Sequence, residues 1–289
     1  MIELHDGNKF IPFKEFVFPA GEEHVQLNIE SMQCETHVII ARIQNSSDLV
    51  QLMMLRDALD RVDCPVVLVL PYVPYSRQDR VCNPGEAFSL KVFTQLINAM
   101  SFERVVILDP HSDVTPALID RVRVIDQASV VWAVDKLSGK ALSRYDLVLS
   151  PDAGSNKKAS AVAKALGKTE FIRADKLRDL QTGKIIESTI YCDSLAEKSV
   201  LIVDDICERG GTFIGLAEAL KKKGCKDIGL FVTHGIFGGE SSAPTTLQTL
   251  RSNGIEVFCT NSYSKEYASL ENVYDVEKIM DELLRLSRE

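Results

Sequence analysis

The chain has 289 residues, of which 45% are hydrophobic and 26% charged, and its formal net charge is −8. This composition is that of a globular protein, the length favours two domains, and the acidic balance argues against nucleic acid as a main partner. The first ten residues, MIELHDGNKF, lack the basic start and apolar core of a secretory signal, and no apolar run approaches the length needed to span a membrane. Seven scattered cysteines without a Cys-x-x-Cys pair favour a reduced setting, so we expect a cytoplasmic protein.

Short apolar segments alternate with helical patterns, which predicts an α/β fold with mostly parallel sheets flanked by helices. The predicted strands are His37–Ala41, Val66–Leu70, Val105–Leu108, Leu147–Leu149, Ser199–Val203, Gly229–Thr233 and Glu256–Cys259. The predicted helices are Ser47–Arg61, Phe88–Met100, Ala153–Leu166, Thr212–Lys223, Thr245–Asn253 and a last one with Asp275 as its N-cap. One series of elements gives way to a second near Ser129–Lys140. We therefore expect domains of residues 1–133 and 134–289, and leave open whether the last helix packs on the first domain.

Two polar segments follow predicted strands of the first domain. Pro74–Arg80 carries two arginines, an amide and an acid, which suit the phosphates and base edges of a nucleotide. A surface loop with paired charges is an equally good interpretation. Asp109–Ser112 contains His111, which could ligate a metal, donate to a phosphoryl oxygen or satisfy a backbone group. For an isolated histidine the last interpretation is favoured.

Two further segments follow strands of the second domain. Ser150–Ala159 combines an acid, a small-residue turn and two lysines, which suits a diphosphate and a metal, although an ordinary capped helix would have the same pattern. Val200–Phe213 places Asp204 and Asp205 where a buried strand ends, before a Gly-Gly-Thr turn that opens a helix. The turn can bind an anion and the acids can accept hydrogen bonds from sugar hydroxyls. The sequence therefore predicts a ribose phosphate site.

A polar segment, Arg173–Ser188, separates two of these regions and contains a Thr182-Gly183 turn signal. It is either a solvated β-hairpin tip or a mobile lid whose Lys176 and Arg178 reach a phosphate. Because the other four segments all follow strands, the carboxyl ends of parallel strands could bring them to one cleft.

Taken in order, five motifs resemble the ribose-phosphate pyrophosphokinase family, from about Phe18 to His234. They are Tyr-x-Arg-Gln-Asp, Asp-x-His, Ser-Pro-Asp-Ala-Gly, Val-Asp-Asp with Gly-Gly-Thr, and Thr-His-Gly. Only the Asp-Asp and Gly-Gly-Thr part is shared with phosphoribosyltransferases generally. The resemblance implies two phosphoribosyltransferase-like domains, an ATP-side domain and a ribose-phosphate-binding domain. It also implies a homo-oligomer that uses Mg²⁺ to move the β,γ-diphosphate of ATP to the 1-hydroxyl of ribose 5-phosphate, giving phosphoribosyl pyrophosphate and AMP.

The same resemblance assigns roles to individual residues. The residues on the ATP side are Phe18, Glu22, Arg77, Gln78 and Asp79. The residues with catalytic roles are His111, Lys176 and Arg178, and the residues linked to Mg²⁺ are His111 and Asp152. The residues on the ribose phosphate side are Asp204, Asp205, Glu208, Arg209, Gly210, Gly211 and Thr212.

The chain departs from the family pattern at three places. Ala20 replaces an acid of the ATP-side loop, and the stretch after His111 is SDVTPALIDR. Glu208 and Arg209 replace the Asp-Thr that begins the family's 5-phosphate loop. Because a guanidinium changes the space and charge there, one alternative acceptor is a ribose with a larger 5-substituent, such as ADP-ribose of NAD metabolism.

Two further alternatives belong to other functional classes. A catalytically silent, nucleotide-binding regulator would have no reason to keep Lys176 and Arg178. An ordinary phosphoribosyltransferase would leave the Arg-Gln-Asp and Asp-x-His motifs of the first domain unexplained. Both are therefore disfavoured relative to diphosphate transfer.

Overall fold

The computed structural model describes residues 1–6, 9–32, 36–62, 64–168, 170–178 and 185–286. The contacts between residues divide the chain into two compact units, Met1–Ile125 and Asp126–Glu289. Each unit has its own sheet and its own hydrophobic core, so each is described by itself.

The first unit is built on a six-stranded sheet with the order β2-β1-β5-β6-β7-β8. The strands of the unit are β1 (Ile2–Asp6), β2 (Lys9–Ile11), β3 (Phe13–Val17), β4 (Glu23–Leu27), β5 (His37–Ala41), β6 (Val66–Leu70), β7 (Arg104–Leu108) and β8 (Val122–Ile125). Its helices are α1 (Ser46–Asp60), α2 (Ser89–Ala99) and α3 (Val114–Leu118). Strands β5 to β8 are parallel, whereas β1 is antiparallel to both β2 and β5. Strands β3 and β4 form a separate hairpin that packs on α1.

Helix α1 shows how local sequence produces these elements. Asn45 caps its first turn by accepting a hydrogen bond from the backbone N of Asp48 at 3.0 Å. Leu52, Leu55 and Leu59 then share one face and are buried in the core of the unit. The helix therefore starts where its cap is and packs along its apolar stripe.

The second unit has a seven-stranded sheet with the order β11-β10-β9-β12-β13-β14-β15. The strands are β9 (Leu147–Ser150), β10 (Phe171–Arg178), β11 (Ile185–Ile190), β12 (Ser199–Cys207), β13 (Asp227–Gly235), β14 (Ile255–Thr260) and β15 (Val273–Tyr274). The helices are α4 (Gln127–Leu137), α5 (Asn156–Ala165), α6 (Gly211–Lys222), α7 (Ala243–Ser252) and α8 (Val276–Leu286). Only β11 is antiparallel to its neighbour, so the carboxyl ends of the other strands share one edge.

The structure confirms the predicted α/β class and corrects some boundaries. Strand β12 does not end at Val203 but continues to Cys207, because Asp204 and Cys207 still pair with β13. The two acids therefore lie within the last part of the strand. The stretch predicted as one helix from Ala153 begins with a 3-10 turn and becomes α-helical only at Asn156.

The region between the domains also differs in detail from the expectation. The two units divide between Ile125 and Asp126, ahead of α4, rather than within that helix at residue 133. Helix α4 packs on α5 and α8, so it belongs to the second unit. The predicted N-cap of α8 is confirmed, since Asp275 Oδ1 accepts from the backbone N of Glu277 at 2.8 Å.

Two further features of the described residues concern membrane insertion and the state of the cysteines. None of the helices in the described ranges combines the length and apolar content that a bilayer crossing requires. Five of the described cysteines carry free thiols: Cys82, Cys192, Cys207, Cys225 and Cys259. Cys64 is disulfide-bonded.

Candidate active site

A cluster of acids forms at the carboxyl ends of β9 and β12, which are adjacent parallel strands. Asp152 Oδ1 accepts hydrogen bonds from the backbone N and from Oγ of Ser155, both at 3.1 Å. The same Ser155 Oγ lies 3.5 Å from Asp204 Oδ1. The structure therefore joins the Ser-Pro-Asp-Ala-Gly motif to the Asp-Asp motif through one hydroxyl. Ser155 had no predicted role, although a serine three residues after an N-cap acid is a usual capping partner.

The pair Asp204 and Asp205 is held by backbone contacts. Asp204 Oδ1 accepts from the backbone N of Asp205 at 3.0 Å, and Gln127 Nε2 donates to the Asp204 carbonyl at 2.6 Å. Asp205 is only 6% exposed, and Asp204 is half-buried. Gln127 could not be identified from the sequence, because it reaches β12 from a helix far away along the chain. Fixed carboxylates of this kind can accept hydrogen bonds from sugar hydroxyls.

The glycine turn that follows β12 has two different glycines. Gly210 has a φ of +75°, and a methyl group there would lie 2.9 Å from Leu250 Cδ2. Backbone conformation and packing therefore both require glycine at this position. A methyl group at Gly211 would meet no atom within 4 Å, so open space lies beside the first residue of α6. Thr212 follows in the same first turn, where backbone N–H groups can bind an anion.

Glu208 and Arg209 precede this turn and are exposed. In the described part of the chain, no hydrogen bond or ion pair holds the Arg209 guanidinium. Arg209 therefore extends to solvent from the anion-binding turn, where it can reach a charged group on a ligand.

The thiol of Cys207, directly before the turn, is buried. Burial raises the pKa of Cys207 to about 12, and the nearby charge of Asp204 adds to the rise. The thiol is therefore protonated at neutral pH and is a poor nucleophile.

The segment with the predicted lid cations forms a β-hairpin. Strands β10 and β11 pair in antiparallel register, with Lys176 opposite Ser188 and an irregularity between Leu177 and Arg178. The Thr182-Gly183 turn and the side chains of Lys176 and Arg178 lie outside the described part of the structure. The hairpin interpretation is confirmed for its two strands, and the catalytic role of the cations stays a prediction.

In the first unit, the loops after β6 and β7 meet. Ser112 Oγ donates to Asp79 Oδ2 at 2.7 Å, which joins the Arg-Gln-Asp motif to the Asp-x-His motif. Asp79 is buried, whereas Arg77, Gln78 and His111 are exposed. Ser112 had no predicted role, although it directly follows His111.

The backbone of both loops is strained. Tyr75 has a φ of 61° and Asp109 a φ of 35°, which place both residues in the left-handed region that favours glycine. Such residues cost about 1–3 kcal/mol each and cluster at functional sites. The strain supports a functional role for these two loops.

Phe18 and Glu22 lie at the tip of the β3–β4 hairpin. The backbone N of Phe18 donates to the Glu22 carbonyl at 2.7 Å, and Gly21 N donates to the Phe18 carbonyl at 2.8 Å. Phe18 is 47% exposed, and its ring contacts those of Phe16 and His24. Among the described residues, no hydrogen bond joins Phe18 or Glu22 to the loop with Asp79. These two residues are therefore presented on a separate element.

The donor set in the second unit fits Mg²⁺. Ser155 Oγ lies 3.1 Å from Asp152 Oδ1 and 3.5 Å from Asp204 Oδ1, so two carboxylates gather around one hydroxyl. Carboxylate oxygens are the ligands that Mg²⁺ prefers, so Asp152 and Asp204 are suitable side chains to hold it. His111 belongs to the first unit, and its predicted pairing with Asp152 stays a prediction.

Comparisons with known proteins agree with the class of protein that this fold and site define. Residues 125–257 match the phosphoribosyl transferase domain, so the second unit is of the phosphoribosyltransferase type. Residues 2–100 match the N-terminal domain of ribose phosphate pyrophosphokinase. The chain belongs to the ribose-phosphate pyrophosphokinase family, whose members are transferases.

Individual relatives support the same assignment. The ribose-phosphate pyrophosphokinase of Campylobacter jejuni is 30% identical over 226 residues, covering 78% of this chain and 72% of its own length. That of Aquifex aeolicus is 29% identical over 279 residues, covering 94% and 86%. The phosphoribosylpyrophosphate synthetase structure from Mycobacterium smegmatis superposes with a TM-score of 0.76 at 22% identity, covering 97% of this chain and 92% of that one. This last similarity establishes the fold.

Proposed function

We propose that the chain transfers the β,γ-diphosphate of ATP to the 1-hydroxyl of ribose 5-phosphate, giving phosphoribosyl pyrophosphate and AMP. One observation carries the proposal: Ser155 joins Asp152 to Asp204 just before the Gly210 turn, at the carboxyl edge of the second sheet. Two carboxylates and an anion-binding turn are the groups that a sugar phosphate and a magnesium diphosphate require.

The acceptor would bind along the end of β12. Asp204 and Asp205 would accept hydrogen bonds from the ribose hydroxyls, while the backbone N–H groups after Gly210 would bind the 5-phosphate. Holding the ring at both ends leaves the 1-hydroxyl directed away from the turn. The carboxylates would thereby supply orientation, which is a large part of catalysis in phosphoryl transfer.

The nucleotide would bind through groups of the first unit. Arg77 and Gln78 directly precede the buried Asp79, and His111 precedes Ser112, which donates to Asp79; the three exposed side chains could bind phosphates and base edges. Phe18 offers an exposed ring for stacking on a base, and Glu22 an exposed carboxylate beside it.

In the reaction, a bond forms between the ribose 1-oxygen and the β-phosphorus of ATP. The bond between the β-phosphorus and the α,β-bridging oxygen of ATP breaks, and that oxygen leaves with AMP. The proton of the ribose hydroxyl passes to solvent. Lys176 and Arg178 would stabilise the charge on the transferred group. Asp152 and Asp204 would hold Mg²⁺, which neutralises diphosphate charge when bound.

The test is to mix the purified chain with ATP, ribose 5-phosphate and MgCl₂, and to measure AMP and phosphoribosyl pyrophosphate together. Equal amounts of both products, each dependent on the acceptor and on MgCl₂, are expected. Release of ADP in place of AMP would contradict transfer of a diphosphate.

A second acceptor class stays a prediction from the sequence, in which Arg209 stands beside the anion-binding turn; its side chain is exposed, and no described group holds its guanidinium. A ribose with a 5-diphosphate, such as ADP-ribose, would place a second phosphate within reach of such a side chain. A higher kcat/KM for ADP-ribose than for ribose 5-phosphate would establish this alternative. AMP release with neither acceptor, combined with tight ATP binding, would instead indicate a silent regulatory homologue.

We further propose that the chain assembles as a homo-oligomer of at least two copies, as the family resemblance implies. Light scattering on the purified chain would show a mass that is a multiple of 32.1 kDa.

A further inference from the structure

A buried polar cluster lies at the carboxyl ends of β13 and β14, and the proposed reaction does not use it. Its members are Thr233, His234, Thr260, Asn261 and Ser262. Each of them is at most 2% exposed. Polar side chains this deeply buried are retained when their hydrogen bonds hold a particular geometry.

The hydrogen bonds of this cluster define the state of His234. Ser262 Oγ donates to the Thr233 carbonyl at 3.1 Å, and His234 Nδ1 lies 2.9 Å from the same Ser262 Oγ. Because a hydroxyl has one proton, Ser262 accepts a hydrogen bond from Nδ1–H of the imidazole. Thr260 Oγ1 also donates to the Thr233 carbonyl, at 2.7 Å. His234 therefore ties the end of β13 to the end of β14.

The segment that follows His234 is bonded to the end of β12. The backbone N–H groups of Ile236 and Phe237 both donate to the Cys207 carbonyl, at 2.9 and 3.0 Å. Tyr267 Oη donates to the Ile236 carbonyl at 3.0 Å. Phe237 is fully buried with a φ of 52°, a left-handed conformation that only a well-determined surrounding maintains.

Cys207 in turn leads directly into the anion-binding turn. Only Glu208 and Arg209 separate it from Gly210, the left-handed residue that starts α6. A displacement of the chain at Ile236 would therefore move Cys207 and the turn with it. The path runs from the imidazole through backbone hydrogen bonds to the phosphate-binding groups.

We propose that His234 is a positioning residue for the ribose-phosphate turn, acting through its Nδ1–H bond to Ser262. The inference rests on the proposed function, because it assumes that the turn binds the acceptor phosphate. His234 itself lies inside the strand pair and acts on the acceptor through the Gly235–Phe237 segment and Cys207.

The inference predicts a selective effect. Replacement of His234 by leucine leaves the buried Ser262 hydroxyl without its donor and should raise the KM for ribose 5-phosphate about tenfold. The KM for ATP should stay unchanged, because the nucleotide groups belong to the first unit. His234→Asn keeps a donor close to the Nδ1 position and should restore most of the acceptor affinity.

A matched control separates positioning from general stability. Tyr145 is equally buried, and its Oη donates to Glu256 Oε2 at 2.9 Å near the opposite edge of the same sheet. Tyr145→Phe should lower the melting temperature to an extent comparable with His234→Leu, yet leave both KM values as they are. Ser262→Ala should reproduce the His234→Leu effect, and the double variant should show no further increase.

The experiment measures both KM values and the melting temperature for the wild type, His234→Leu, His234→Asn, Ser262→Ala and Tyr145→Phe. A rise in acceptor KM that His234→Asn reverses and Tyr145→Phe lacks is expected. Equal impairment by His234→Asn, or an unchanged acceptor KM in His234→Leu, would overturn the inference while the activity itself stands.

If the wild type releases no AMP, the positioning role of His234 is tested by measuring the binding of ribose 5-phosphate to the same variants by calorimetry. About tenfold weaker binding in His234→Leu, with rescue in His234→Asn, would support positioning although the proposed reaction fails. Equal binding by all variants, or no binding by the wild type, would overturn the positioning role as well.

Discussion

The two units present their functional groups in different ways. In the second unit, Ser155 lies between Asp152 and Asp204, and the backbone of Asp205 holds Asp204 further. In the first unit, Asp79 accepts from Ser112 Oγ and lies 3.3 Å from Arg80 Nε, while the side chains of Arg77 and His111 are exposed. Exposed side chains lose rotamer entropy when they bind, whereas fixed ones have lost it already. We therefore expect the acceptor side to be preorganised and the nucleotide side to become ordered on binding.

The largest effect is expected from the cations of the β10–β11 hairpin, which would act only in the transition state. Arg178→Ala should lower kcat about 10²–10³-fold with little change in either KM. Steady-state kinetics of AMP release checks this, with Lys226→Ala, an exposed lysine before β13, as the control. A change confined to the KM for ATP would place Arg178 in nucleotide binding instead.

The turn of the second unit should be sensitive to a single methyl group. Gly210→Ala forces a left-handed alanine against Leu250 Cδ2 and should reduce the free energy of unfolding by about 1–3 kcal/mol. Gly211→Ala meets no atom within 4 Å and should change it by less than about 0.5 kcal/mol. Urea unfolding of both variants measures the difference, and equal destabilisation would contradict both the backbone strain at Gly210 and its packing on Leu250.

Two serine-to-alanine substitutions, one in each unit, compare the substrate-binding groups of the two units directly. Ser155→Ala removes the hydroxyl between Asp152 and Asp204 and should raise the KM for ribose 5-phosphate by about five- to tenfold. Ser112→Ala removes the bond to Asp79 and should raise the KM for ATP by only about two- to threefold, because exposed groups there adapt. Initial-rate kinetics with each substrate varied decides the comparison. The reverse order of effects would show that the nucleotide side is the preorganised one.

The reactivity of one buried and one exposed cysteine compares the two units with the smallest expected effect on function. Burial raises the pKa of Cys207 to about 12, so this thiol should not react with iodoacetamide at pH 8, whereas the exposed Cys82 of the first unit should. Mass spectrometry of the labelled peptides measures both. Labelling of Cys207 in the native state would show that the region before the turn opens readily.

The same pKa shift predicts a pH dependence of stability. The pKa of Cys207 is higher in the folded protein than in the unfolded chain, so its contribution is complete below about pH 8.5 and is lost as the pH rises towards 12. Cys207→Ala should flatten the fall in the free energy of unfolding between about pH 9 and pH 11. Urea titrations of both proteins at several pH values measure this slope.

Much of the fold could be predicted because its signals are local. Strands β5 and β6 were predicted to the residue, since each is a short apolar run between breakers. Strands β1 to β4 were missed; among them β3 is largely exposed, so it is unlike the buried apolar runs of β5 and β6. The amphipathic stripe of α6, from Phe213 to Leu220, was predicted and is buried.

For the candidate site, the sequence supplied the acids and glycines but not the groups that hold them. Asp204 and Asp205 were predicted from their place after an apolar strand, yet Gln127 and Ser155 were not expected beside them. Neither residue has a local pattern that links it to β12. Their contacts exist only because α4 and the β9 turn fold against that strand.

By itself, the sequence determined the alternation of strands and helices and the chemistry available at the strand ends. Those properties follow from hydrophobic periodicity and side-chain type, which act over a few residues. The tertiary structure decided how far β12 runs, which hydroxyl lies between Asp152 and Asp204, and that His234 contacts Ser262. These features depend on hydrogen bonds between residues distant in sequence, and only the pairing of the folded strands brings such residues together.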